Sequence, residues 1–475
     1  MVDATARQEF ASRRIDAAAL IRRAETVLSC VSSVEGSRRT ATAPGRLDVM
    51  GGIAEYTGAV VVGCTIDRHA SATVQTRDDG KFVVCGFPFG STSPAEPMEF
   101  AADEFNITET PVAARRPEQP SAGDDSPWLR PVVAVLHELS RSRKRNDTCP
   151  GASILVDGDL PPHRDLAYSA AVAVATLSAL CAAWGLRLDA DECAALATRA
   201  ENDRGGMPCG ASAAMCVREG RPGALLPIDC QSARPLAAQS MPGGYAFVGI
   251  DSGAKHADAD VKYRRARAAA SMGARVIQAA RADRNGHPGG WSGPLAQLTV
   301  DDYVNHLRDR IPTKIRGVDF CTRFNGTSDP LAEIEPDFVY KIRSRTEHHI
   351  YEAVRARQFV ERIGFAERTG DGQAMKDAGE LMYASHWSYG QRCGLGSVET
   401  DRLVTLLRQT GPDEGVLGAR VSAYGAGGVV VALIESSDRG RAALTDVIHR
   451  YERATRCATR LFETATGDGP VFAVH

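Results

Sequence analysis

At 475 residues, with 43% apolar and 24% charged residues, the chain is long enough for two or three domains and a large buried core. A formal net charge of −3 gives no reason to expect nucleic acid or an anionic membrane as a partner. No apolar run is long enough to span a bilayer, and the N-terminus lacks the apolar core of a signal peptide.

In chain order, residues 1–40 alternate Ala, Arg and acids at helical spacing and predict a helix. From Thr42 to Asp67 the pattern predicts a turn, then a strand over the β-branched run Ala59–Ile66. Residues 104–127, rich in Pro, Ala, Glu and Asp, read as a long surface loop. The basic run at residues 140–147 reads as a second, solvated loop. An Ala-rich buried helix is predicted over 168–184 and a second helix over Asp191–Asn202. Tyr245–Asp251 reads as a short buried strand, Ala257–Ala280 as an Arg/Ala-rich helix, and Gly428–Ile434 as a strand after a glycine-rich turn. No repeat is visible, and strands mix with helices without regular alternation. The expected class is α+β, in two closely joined halves divided near residue 240 (1–240 and 241–475). Twelve cysteines are scattered from Cys30 to Cys457 without C-x-x-C pairs or zinc spacing, so reduced thiols and a cytoplasmic location are expected, with no metal site.

Three stretches in the first half and four in the second carry chemistry. The first is Ala43–Gly58, APGRLDVMGGIAEYTG, whose glycines imply tight turns and close backbone approach to something small. It resembles the sugar-recognition segment of the GHMP kinase superfamily, nearest the L-arabinokinase branch beside galactokinase. That resemblance implies a two-domain fold, with a ribosomal-protein-S5-like N-terminal domain and a ferredoxin-like C-terminal domain. It also implies that Arg46 points at transferred phosphate and that Asp48, Glu55 and Tyr56 bind sugar. Glu55 stands where the arabinokinase pattern has Asp, one methylene shorter, which retunes the pocket.

The second stretch, Pro161–Ala171, aligns with the family's phosphate loop P-x-x-x-G-[LV]-S-S-S-A-A, in which backbone N–H groups at a helix start cradle ATP. Here Asp165 replaces the glycine, Ala167 and Tyr168 replace serines, and Ser169 remains. A carboxylate facing a triphosphate is repulsive. His163 and Arg164 offer positive charge from side chains instead.

The third, Glu201–Gly210 (ENDRGGMPCG), resembles E-N-x-x-V-G-x-P-C-G, and the family's following catalytic Asp falls on Ala213. Losing a positioned base lowers rate by about two to four orders of magnitude. Arg46 and Glu201 remain as the catalytic candidates, and Gly210 lies beside the sugar.

The remaining matches lie in the second half. Phe247–Arg267 resembles the family's strand, S-G-x-[RK]-H and Tyr-Arg stretch, making Asp251 and Tyr263 sugar-side residues. Glu347–Glu352 (EHHIYE) and His386–Leu403 (HWSYGQRCGLGSVETDRL) resemble arabinokinase segments. Ala419–Gly428 resembles A-K-[IV]-T-G-G-G-x-G-G, which places Arg420, Gly425 and Gly427 with His163, Arg164 and Ser169 as phosphate binders. With the nucleotide side altered and the sugar side kept, three readings are expected to compete. The first is a transferase repurposed from a sugar 1-kinase, using a phosphorylated sugar or donor near the anomeric centre. The second is an active ATP- and Mg-dependent L-arabinokinase- or galactokinase-like enzyme. The third is a noncatalytic sugar sensor. The partner is expected to be a sugar or sugar phosphate, and the chain a monomer or homodimer.

Overall fold

The computed structural model describes residues 22–24, 26–28, 38–101, 126–142, 151–205, 208–254, 258–285, 293–425, 427–466 and 472–475. Most of the helix expected over 1–40, most of the loops expected at 104–127 and 140–147, and Lys255–His256 lie outside the described residues.

The first half is built on a mixed sheet. Its strands are β1 (Arg38–Met50), β2 (Val60–Arg77), β3 (Lys81–Gly86), β4 (Met98–Ala101), β5 (Gly151–Gly158) and β6 (Ala224–Asp229). The second half holds β7 (Tyr245–Asp251), β8 (Val416–Val421), β9 (Val429–Glu435) and β10 (Arg460–Glu463), and the chain closes with β11 (Ala473–Val474). The first sheet runs β11-β1-β2-β5-β3-β4, with β6 also on β2, and only the β3–β5 contact among these is parallel. The second is antiparallel, in the order β8-β9-β7-β10. Strand β11 returns to β1, and Thr464 bridges Ile66, so the chain end is tied to the first sheet.

Helix α1 (Tyr168–Ala183) lies across β1 and β2. Its alanines let it sit close to the sheet, and residues 170–177 are all buried. Helix α2 (Ala190–Ala200) is opened by a capping box in which Asp189 and Glu192 satisfy each other's backbone N–H groups. Helix α3 (Ser212–Glu219) follows. The second half contributes α4 (Ala259–Asn285), α5 (Ile342–Thr369), α6 (Gly372–Ser388), α7 (Val398–Thr410) and α8 (Asp438–Thr455). Side chains of β7, β9, α5 and α6 (Phe247, Val431, Phe359, Met382) join those of β1, β2 and α1 in one core, so the two halves share it. None of the described helices is long and apolar enough to cross a membrane.

The elements depart from the sequence reading in one place that matters. Residues 38–50 form a strand where a helix end and a turn were expected. Gly45, Arg46 and Asp48 break the apolar alternation that signals strands, yet from Thr40 onward every residue of β1 is buried. Two register irregularities, between Pro44 and Arg46 and between Asp48 and Met50, let the strand carry those residues.

Candidate active site

The bulged end of β1 places Arg46 and Asp48 on one side of the strand, 5% and 3% exposed. Their Nη2 and Oδ2 atoms lie 2.5 Å apart, and Arg46 Nη1 donates to Ser212 Oγ at 3.1 Å. On its other oxygen, Asp48 accepts from Arg420 Nη1 at 3.0 Å and from the Gly52 N–H at 3.2 Å. One carboxylate thus lies between two buried guanidinium groups. Burial alone lowers the Arg46 pKa, but Asp48 together with Cys216, Glu55 and Tyr424 more than reverses this and keeps it firmly charged. Arg420 Nε continues the chain to Ser385 Oγ at 3.1 Å, and Ser385 donates to Glu352 at 2.5 Å.

Beyond the glycine pair, the chain makes a short 3-10 turn, Gly52–Thr57, which turns the Glu55 side chain inward. Glu55 Oε1 accepts the Ser212 N–H at 2.7 Å, at the first turn of α3, where a helix start favours negative charge. Gly210 lies directly against this carboxylate: a Cβ there would sit 2.4 Å from Glu55 Cδ. Next to it, Tyr56 Oη and Thr57 Oγ1 flank His349 of α5 at 3.1 and 3.0 Å. Thr57 gives its only proton to the Ala54 carbonyl. His349 therefore holds its proton on Nδ1, and its Nε2 accepts from Tyr56, an assignment that follows from the bond network. Burial pushes the His349 pKa well down, so the ring is neutral. Tyr263 donates to the Pro208 carbonyl at 2.5 Å and stacks on Tyr424 with ring centres 4.5 Å apart.

The loop before α1 is shaped without glycine. His163, Asp165 and Ala167 take φ values of 57°, 54° and 60°, the left-handed region, which costs roughly 1–2 kcal/mol per residue. Tertiary bonds hold it there. The Gly427 N–H donates to Asp165 Oδ2 at 2.6 Å, Arg164 Nε lies 3.3 Å from Asp251 Oδ2, and Arg164 Nη1 donates to the Ala254 carbonyl at 3.2 Å. A Cβ on Gly427 would fall 2.3 Å from the Arg164 carbonyl carbon, so the glycine turn and the loop meet backbone to backbone. Ser169, in the first turn of α1, donates to Glu201 Oε1, and Cys209 Sγ approaches Glu201 Oε2 at 3.6 Å. Burial raises the Glu201 pKa, and the Ser169 bond opposes the rise only in part. Under Tyr424 and Gly425, a crevice walled by Asp258, Lys262 and Gly396 leaves about 10 Å³, room for about one water.

Arg46, Asp48, Glu55 and Gly210 come together around the start of α3, with Tyr56 and Tyr263 beside them. Of the expected phosphate binders, Gly427 packs against the Arg164 backbone. His163 is exposed, Arg164 is shared with Asp251, and Gly425 donates its N–H to the Ser422 carbonyl within its own turn. Arg420 is 0% exposed, because Asp48 draws its guanidinium into the core rather than toward an open cleft. His349, Glu352, Ser385 and Tyr389 were not singled out from the sequence. The only available hint was the position of His349 and Glu352 within EHHIYE and of Tyr389 within HWSYG, which Ser385 immediately precedes. His386, which opens HWSYG, lies 3.2 Å from Asp401 while accepting the Val421 N–H.

Residues 130–220, which carry the loop, α1 and the Glu201–Ser212 stretch, match the family model for the GHMP kinases N terminal domain. An L-arabinokinase of Arabidopsis thaliana is 28% identical over 477 residues. That alignment covers 89% of this chain but 45% of the plant protein, so the chain spans under half the relative's length. Lactococcus lactis galactokinase, solved with galactose, superposes with a TM-score of 0.72 at 19% identity, covering 95% of this chain and 99% of that one. The L. major mevalonate kinase complexed with R-mevalonate gives a TM-score of 0.50 at 16% identity, covering 90% and 97%. Both likenesses establish the two-domain GHMP fold.

Proposed function

We propose that the chain binds a small sugar or sugar phosphate through Asp48, Glu55, Tyr56, Gly210 and Tyr263, and acts on it as a transferase near the anomeric centre without drawing phosphate from ATP. One observation carries this reading: the Gly427 N–H donates to Asp165 across the space between the loop and the glycine turn. A triphosphate needs that space and those N–H donors, and would meet a carboxylate in it. The residues present therefore do not fit ATP–Mg in the superfamily's usual manner. Ala213 adds to the argument, since no carboxylate stands at the base position and Ser212 Oγ already accepts from Arg46.

In this reading Arg46 and Glu201 are the catalytic groups. Arg46 supplies fixed positive charge against a departing phosphate or pyrophosphate. Glu201, bonded to Ser169, supplies a proton. His163 and Arg164 are the side chains left at the rim for a phosphorylated donor, and Arg420 supports Asp48 rather than a phosphate. The division near residue 240, a cytoplasmic location and a monomeric or homodimeric state, without nucleic-acid or membrane partners, complete the proposal. Similarity to the plant L-arabinokinase favours the kinase alternative, in which ATP and Mg bind and the loop opens.

Titration calorimetry separates the two. L-arabinose or D-galactose should release heat on binding, while ATP–Mg should give none at millimolar concentration. ATP–Mg binding with a micromolar Kd would overturn the proposal. Sugar binding without conversion of any sugar-phosphate donor would instead leave a sensor.

A further inference from the structure

The sugar segment and the glycine turn of the second half meet at Asp48, through Arg420 and Ser422, and again, nearer Glu55, on the hydroxyl oxygen of Tyr389. This residue opens a π-helical turn, Tyr389–Cys393, that continues α6, a distortion often found where function requires it. It is 0% exposed. Its oxygen accepts the Ile53 N–H at 2.7 Å and donates its proton to the Ala423 carbonyl at 3.0 Å. Both partners are backbone groups, one beside Glu55 and the other in the turn that ends at Gly428. The ring has little freedom to follow one partner and abandon the other. Arg420 lies 4.9 Å over it, His348 meets it edge-on at 5.0 Å, and a Cβ on Gly52 would come within 1.6 Å of the oxygen. Ala423 takes a left-handed φ of 45° to present its carbonyl.

We propose that Tyr389 is a positioning residue that couples the sugar segment to the glycine turn. A hydroxyl that accepts and donates at once polarises both bonds, so loss of one weakens the other. Movement of the turn, as when a phosphorylated donor enters beside Asp165, loosens the hold on Ile53 and with it the placement of Glu55. Sugar bound at Glu55 tightens the turn by the same route, because coupling between two sites is reciprocal.

The test is hydrogen–deuterium exchange on the full chain, read in peptides spanning residues 51–57 and 421–428. Asp165→Ala removes the acceptor of the Gly427 N–H and perturbs the turn together with the loop before α1. In the native background it should speed exchange at residues 51–57 by about five-fold, the worth of a typical hydrogen bond. In a Tyr389→Phe background, which keeps the ring and the packing, the same change should add nothing at residues 51–57. The coupling is refuted by unaltered exchange at residues 51–57 after Asp165→Ala, or by equal acceleration in both backgrounds. Should Tyr389→Phe fail to fold, the Asp165→Ala result alone decides. A second readout rests on the proposed sugar binding: Tyr389→Phe should weaken L-arabinose or D-galactose binding about five-fold. If the native chain binds neither sugar, the proposed function fails, while the exchange result still decides the coupling.

Discussion

Replacing Asp48 with alanine is expected to remove about 3–5 kcal/mol of stability, a large share of the roughly 5–15 kcal/mol that holds an ordinary domain folded. Asp48 is the shared counter-ion of Arg46 and Arg420, and all three lie at or below 5% exposure. Alanine would leave two guanidinium groups buried without their carboxylate. Arginine cannot escape by releasing its proton, so the structure must admit water or open. The Gly52 N–H would also lose its acceptor, at the turn that aims Glu55. Urea denaturation of Asp48→Ala should show a midpoint far below native. Asp48→Asn should fall between them, since its amide oxygen still accepts hydrogen bonds while its charge is gone. An Asp48→Ala midpoint within about 1 kcal/mol of native would mean that Arg46 and Arg420 are solvated, against their burial here.

Gly210→Val is expected to abolish sugar binding while sparing most of the stability. A Cβ at residue 210 would fall 2.4 Å from Glu55 Cδ and Oε1, so Glu55 must swing away from the Ser212 N–H. A hydrogen bond to a charged group contributes about 1.5–3 kcal/mol, which converts to a loss of roughly ten- to a hundred-fold in affinity from the displaced carboxylate alone. The branched side chain also takes volume beside the sugar. Calorimetry with L-arabinose or D-galactose reads this directly, and Gly210→Ala should give a smaller loss in the same direction. Undiminished affinity in Gly210→Val would remove Glu55 from the sugar site.

Much of the scaffold is legible in the residues. The run Tyr245–Asp251 is buried through its centre and pairs in register with β9, and the alanines of residues 168–183 announce a helix pressed on a sheet. Strand β1 is not legible, because its charged residues are those the site needs, and their partners lie far along the chain. Asp48 and Arg420 are 372 residues apart, and no local pattern says that a lone arginine before a glycine turn will be drawn into the core. The same holds for Asp165, where the missing loop glycine is visible but its acceptance of a hydrogen bond from the Gly427 N–H, 262 residues on, is not. Family resemblance pointed to the segments proposed to make the site. Which atoms they offer to a ligand depended on contacts between the two halves.

The proposed function turns on the Gly427 N–H, proposed as a donor to phosphate and here bonded to the Asp165 carboxylate. The most direct measurement is ADP release by the purified chain with ATP–Mg and L-arabinose or D-galactose, with mass spectrometry of the sugar product. The expected result is sugar bound, no sugar 1-phosphate, and ADP formed no faster than in the sugar-free control. Sugar-dependent ADP release together with sugar 1-phosphate would show that the Asp165–Gly427 closure opens during turnover and that the chain is a working kinase.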